Sequence, residues 1–120
     1  MKKIVFLLFF LATEVFADEQ KLLIFFFDQT CPYCQQMAPT VLKIKQKFNL
    51  RVIGDNLNGE ATLGFPAVLS NMNLAKIFKI HGLPTIGGID FKAKTLTVIS
   101  VGLCTEAELE QRVNRWLQEG

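Results

Sequence analysis

Apolar positions along the chain fall into blocks of different period. Leu22-Leu23-Ile24-Phe25-Phe26-Phe27 is a continuous run between Lys21 and Asp28. A run without alternation predicts a strand covered on both faces, central in a parallel or mixed sheet. Met37, Val41, Ile44 and Phe48 then recur at helical spacing and give a helix one apolar stripe. Pro32 sits in its first turn, where a missing N–H is harmless. Pro39 lies inside it and is expected to remove the bond to the Gln35 carbonyl and kink the helix. Leu50–Asp55 predicts a second strand, and Asn56 to Ser70 a long loop. Ser70 or Asn71 is placed to cap a short helix with Leu74, Ile77 and Phe78 on one side. A strand from Thr85 through Ile89, a polar turn over Asp90 to Lys94 and the largely alternating Thr95–Val101 form a hairpin. Thr105-x-x-Glu108 is a capping box, and the helix it opens should bury Leu109, Val113, Trp116 and Leu117. The order β-α-β-α-β-β-α predicts an α/β sandwich with a central mixed sheet between helices.

The N-terminus follows another pattern. Met1-Lys2-Lys3 is a positive start, Ile4 to Ala12 a short apolar stretch, and Val15-Phe16-Ala17 a small-residue cleavage site. The stretch is well short of the ~20 residues a membrane span needs. Residues 1–17 therefore read as a cleaved signal peptide, 18–120 as one domain, and the location as periplasmic. An uncleaved anchor is the alternative. Without Lys2, Lys3 and Glu14 the charges are 11 basic and 10 acidic, near balance, which argues against nucleic-acid binding through a basic patch. Lys43, Lys45 and Lys47 read as a solvated helix face.

The candidate chemistry is Cys31-Pro32-Tyr33-Cys34, between the apolar strand and the first helix. A strand that opens through C-x-x-C into a helix brings two thiols to a helix N-terminus, where unpaired N–H groups and the dipole favour a thiolate. Cys31, at the helix start, is the expected attacking thiol. Cys34, one turn in and more buried, is expected to resolve the mixed disulfide. Pro32 fixes the loop, and Tyr33 offers an exposed ring to a client. Cys104 is left over and reads as a packed apolar residue, with a regulatory or intermolecular disulfide as the alternative.

This order and motif resemble the minimal thioredoxin fold. The resemblance rests on Cys31–Cys34, on Pro39 eight positions after the first cysteine, and on Gly82-Leu83-Pro84-Thr85, where that family carries a cis-proline loop. It spans essentially residues 21–118. Gly64-Phe65-Pro66, Asn71–Ala75, Leu83-Pro84 and Val101-Gly102 before the Thr105–Leu109 helix start are similar to thioredoxin-like proteins of conjugative DNA transfer, the TraF/TrbB type. Cys-Pro-Tyr-Cys also resembles glutaredoxins, but Gly87-Gly88 lies too close to Pro84 for their glycine pair. One position departs from the thioredoxin pattern. Thioredoxins keep a buried acid six residues before the first cysteine, and here that residue is Phe25, with Asp28 a weak substitute.

The resemblance implies an exported thiol–disulfide oxidoreductase with catalytic Cys31 and Cys34 and no cofactor. Pro32, Tyr33, Leu83 and Pro84 would meet the substrate. A cis Pro84 would present the Leu83 backbone beside Cys31, where a client peptide can pair as an added strand. Expected partners are proteins with cysteines or disulfides, a membrane or periplasmic redox partner, and conjugation or secretion proteins. Oxidase, reductase and isomerase share these residues, and a monomer that reduces or shuffles disulfides is favoured. The alternatives are a non-catalytic adaptor that uses the fold to dock and a zinc site from Cys31, Cys34, Cys104 and His81.

Overall fold

The computed structural model describes residues 20–119. Its elements are β1 (Lys21–Phe27), α1 (Pro32–Phe48), β2 (Arg51–Asn56), β3 (Val68–Leu69), α2 (Met72–Ile77), β4 (Thr85–Asp90), β5 (Thr95–Val101) and α3 (Glu106–Gln118). The five strands form one mixed sheet in the order β3-β2-β1-β4-β5. β1 runs parallel to β2 and antiparallel to β4, with Phe25 opposite Gly54 on one side and Ile86 on the other. β1 is therefore central, as its unbroken apolar run predicts. The predicted signal peptide lies outside the described residues. Among these residues no helix is long and apolar enough to cross a membrane.

The alternate side chains of β1 enter two separate cores. Leu23, Phe25 and Phe27 join Met37, Val41 and Ile44 of α1 and Leu109, Val113 and Trp116 of α3. Ile24 and Phe26 join Ala75 of α2 and Phe78. Gly87 and Gly88 of β4 leave room for a ring on each face. A Cβ on Gly87 would lie 2.7 Å from the Phe78 ring, and one on Gly88 2.6 Å from Trp116. Lys43 and Lys47 of α1 are solvated and reach Glu106 and Glu110 of α3 at 3.8 and 2.7 Å.

The element order differs from expectation at one point. Val68–Leu69, inside the predicted long loop, pairs in parallel with Gly54 and Asp55 as β3. Two residues carry no periodicity, so pairing rather than pattern makes this strand. Two details also differ. Ile77 is 58% exposed, because α2 ends there and turns only Ala75 fully inward, with Phe78 following as its cap. Leu117 is half-buried rather than buried. α1 runs on through Pro39 as one helix. Asn71 is the cap of α2, and its side chain accepts from Asn73 N and Leu74 N. The capping box of α3 forms as predicted from Thr105 and Glu108.

A buried lysine fastens the C-terminal end of α3. Lys21 Nζ donates to the carbonyls of Trp116, Leu117 and Glu119 at 3.1, 2.9 and 2.8 Å. It lies 3.8 Å from the Asp90 carboxylate and over the Trp116 ring. The last carbonyls of a helix lack intrahelical partners, and here one ammonium bonds three carbonyls at that end, Trp116 O also accepting from Glu119 N at 3.2 Å.

Candidate functional site

The chain leaves β1 through a tight turn that aims it into α1. Asp28 Oδ1 accepts from both the N–H and the hydroxyl of Thr30 at 2.8 Å, and Cys31 N donates to Asp28 O at 3.0 Å. These bonds hold the Asp28 carboxyl below the usual carboxylate range, with the Thr30 N–H the largest cause. A carboxyl held this way is a weaker base than an ordinary one.

Cys31 is the N-cap of α1 and Pro32 its first helical residue. Cys31 O accepts from Gln35 N at 3.1 Å, and its thiol accepts from Cys34 N at 3.3 Å. The sulfur thus takes the place a serine or aspartate oxygen takes at a capped helix, with an orphan N–H aimed at it. Both cysteines are free thiols. Cys31 is half-buried, whereas Cys34 is 0% exposed. Burial pushes the Cys34 thiol up to about 12, and the neighbouring Cys31 sulfur adds to this. A backbone hydrogen bond from Asp28 opposes the shift without cancelling it. One thiol is reachable at a helix N-terminus, and the other is hidden and held protonated.

The surroundings of Cys34 explain that shift. Phe25 is 0% exposed and belongs to the same core as Cys34. Its ring stacks on Phe27 at 5.4 Å and on Phe65 at 5.1 Å. An aromatic stack therefore stands where thioredoxins place an acid. Sequence reasoning does not reach Phe65 as part of the site. The available signal is its place in Gly64-Phe65-Pro66, one of the stretches that carry the TraF/TrbB-type resemblance.

A polar clamp also escapes the sequence reading. Gln29 Oε1 accepts from Asn56 Nδ2 at 3.1 Å and from Ala61 N at 2.9 Å. Gln35 Nε2 donates to Gln29 O at 2.8 Å. Asn56 is fully buried and also donates to Ala61 O at 3.1 Å. The turn before Cys31 is thereby tied to the loop after β2. Gly59, at φ +129°, leaves room for the Gln29 side chain.

The Leu83–Pro84 peptide is cis. Pro84 is buried, and its carbonyl accepts from Gly102 N at 2.7 Å. Leu83 is half-buried and touches both cores. Among the described residues its backbone N–H and C=O make no intramolecular hydrogen bond. Pro32 and Tyr33 are exposed, Tyr33 by 59%. Cys104 is half-buried and packs against the core that α1 and α3 cover, as expected of a packed apolar residue, with its sulfur 3.5 Å from Ser100 Oγ. His81 is exposed and lines a cleft beside α2. Among the described residues no three His, Cys, Asp or Glu side chains are grouped to hold a metal.

A family model described as the F plasmid transfer operon protein TraF matches residues 17–114. The chain belongs to the TraF family. Solved structures give this TraF-family chain the thioredoxin fold. The dsbF protein of MTB superposes with a TM-score of 0.64 at 19% identity, over 80% of each chain. A mutant thioredoxin from Halobacterium salinarum gives 0.66 at 19% identity, over 87% of this chain and 80% of its own. Mitochondrial thioredoxin 3 from Saccharomyces cerevisiae, in its oxidized form, gives 0.61 at 21% identity, over 80% and 78%. No curated protein sequence matches significantly.

Proposed function

We propose that the chain is an exported thiol–disulfide oxidoreductase that reduces or shuffles client disulfides through Cys31 and Cys34. The observation that carries this reading is the asymmetry of the two thiols. Cys31 caps the helix within reach of solvent, and Cys34 is 0% exposed with its thiol pushed up to about 12. In the forward direction the Cys31 sulfur attacks one sulfur of a client disulfide and the other leaves as a thiolate. Cys34 then gives up its proton and attacks Cys31, forming the Cys31–Cys34 disulfide and releasing the second client thiol. Two electrons pass to the client, and a dithiol partner must return them. Burial keeps Cys34 from competing for the first attack, because the thiolate is the nucleophile.

The unpaired Leu83 backbone supports an extended client strand at the loop. Pro32 and Tyr33 are exposed on the same motif as Cys31 and are assigned to client contact. Membership of the TraF family supports service to a conjugation or secretion apparatus, and the Lys-Lys start with its short apolar stretch supports periplasmic delivery. The adaptor reading has no use for two thiols so differently placed.

The test is equilibration of the protein in graded glutathione buffers, with each species resolved by mass. The expected result is one two-electron transition to an internal Cys31–Cys34 disulfide. Glutathione adducts with no internal disulfide at any ratio would contradict the reading.

A further inference from the structure

Beside the Leu83 loop an open cleft of about 530 Å³ lies between α2 and Gly82–Leu83. Leu57, Ile80 and Leu83 supply apolar walls, and all three are only half-buried. Lys76, Lys79 and His81 line it from exposed positions, and among the described residues no carboxylate does. Two of its lining residues are tied to the candidate site through the backbone. Leu83 precedes Pro84 and carries the unpaired backbone. Leu57 N donates to Phe27 O at 2.8 Å, at the end of the strand that delivers Cys31.

We propose that this cleft docks an extended client segment with a bulky apolar side chain next to carboxylates. The proposal rests on the exchange reading above and names the chemistry of the client. A segment added along Leu83, which lines the cleft, sends alternate side chains to opposite sides, so one of them falls over the cleft. The apolar walls take that side chain, and two ammonium groups at the mouth select an acidic flank. A cleft of this size accepts one or two side chains rather than a folded surface.

The test uses three fluorescent, cysteine-free peptides: a leucine flanked by glutamates, the same leucine flanked by lysines, and a serine flanked by glutamates. Binding to the full protein is read by anisotropy at low salt. The acidic leucine peptide is expected to bind about three- to tenfold tighter than the lysine peptide, as a few exposed charge pairs allow. The serine peptide should bind more weakly, and the charge preference should shrink in about 0.5 M salt. The double variant Lys76→Glu/Lys79→Glu should reverse the order, with circular dichroism confirming its fold. Should that variant not fold, Lys76→Gln alone should narrow the preference. Equal binding of the two leucine peptides, no binding by either, or a preference the variants leave unchanged would overturn the proposal. Reduction of hydroxyethyl disulfide by the unaltered protein is measured separately. Selective binding without that reduction contradicts the exchange reading and sustains the docking site. Reduction without selective binding does the reverse.

Discussion

On one face of the sheet α1 and α3 cover Leu23, Phe25 and Phe27. On the other the short α2 and Phe78 cover Ile24 and Phe26. Among the described residues the first core holds fifteen buried members, Cys34 among them, and the second four. The thicker face excludes water from Cys34 and holds the helix that Cys31 caps. The thinner face leaves Leu57, Ile80 and Leu83 partly open along the cleft. The sheet thus separates the buried Cys34 from the open surface beside the Leu83 loop. An even covering by two long helices would close that surface.

The largest expected break in this comparison is Phe25→Asp. The new carboxylate would be buried in the Phe25–Phe27–Phe65 stack without a partner. The expected loss is about 4 kcal/mol or more, from the missing ring and the buried polar group together. A urea melt measures it. An unchanged midpoint would mean that the thicker face does not depend on the stack.

Lys21→Met should come next, with a loss of about 2–4 kcal/mol. It removes the ammonium from the carbonyls of Leu117 and Glu119, leaves that of Trp116 only its bond from Glu119 N, and leaves Asp90 without its buried cation. Protection of α3 amides from hydrogen exchange should fall before that of β1. Equal loss in both would mean that Lys21 supports the whole fold rather than the helix end.

Smaller effects follow from titration, and one arises on each face. The Cys34 thiol is raised to about 12 from an ordinary 9.0, so the folded state favours the protonated form. Its contribution is complete below pH 9 and is lost as pH climbs toward 12. A Cys34→Ala variant should lack that alkaline decline, measured by urea midpoints across the window. On the thinner side Asp55 is fully buried, with Oδ2 unpartnered among the described residues and Oδ1 accepting from Asn71 N at 2.8 Å. Burial raises its carboxyl above the usual range, with the Asn71 N–H opposing. Stability from the protonated form is present below the ordinary value of 3.8 and is lost as pH rises through the higher folded value. Asp55→Asn should therefore raise the urea midpoint at pH 7 relative to its effect at pH 3. A loss at both would show that Asp55 is held as a needed anion.

Much of this frame was legible because local signals agreed with tertiary ones. The unbroken run of β1 marked a central strand, Pro32 marked the start of α1, and Thr105 with Glu108 marked the start of α3. Cys31, Cys34 and the Leu83–Pro84 loop were found from motif and order. What escaped depends on contacts distant in sequence. β3 exists only because Val68 and Leu69 pair with β2. Phe65 joins Phe25 across forty positions that no period connects. Asn56, polar at a strand end, gave no sign that it would be buried against Gln29. Ile77 fitted the apolar stripe of α2, but the helix ends at that residue and leaves it outside.

The central claim is that an accessible Cys31 attacks and a buried Cys34 resolves. Its most direct measurement is trapping with the Cys34→Ala protein on a disulfide-bonded client such as insulin, followed by peptide mapping of the adduct. The account predicts a long-lived mixed disulfide on Cys31 that the unaltered chain resolves. An adduct on Cys104 instead, or a Cys31 adduct that vanishes as quickly without Cys34, would contradict it.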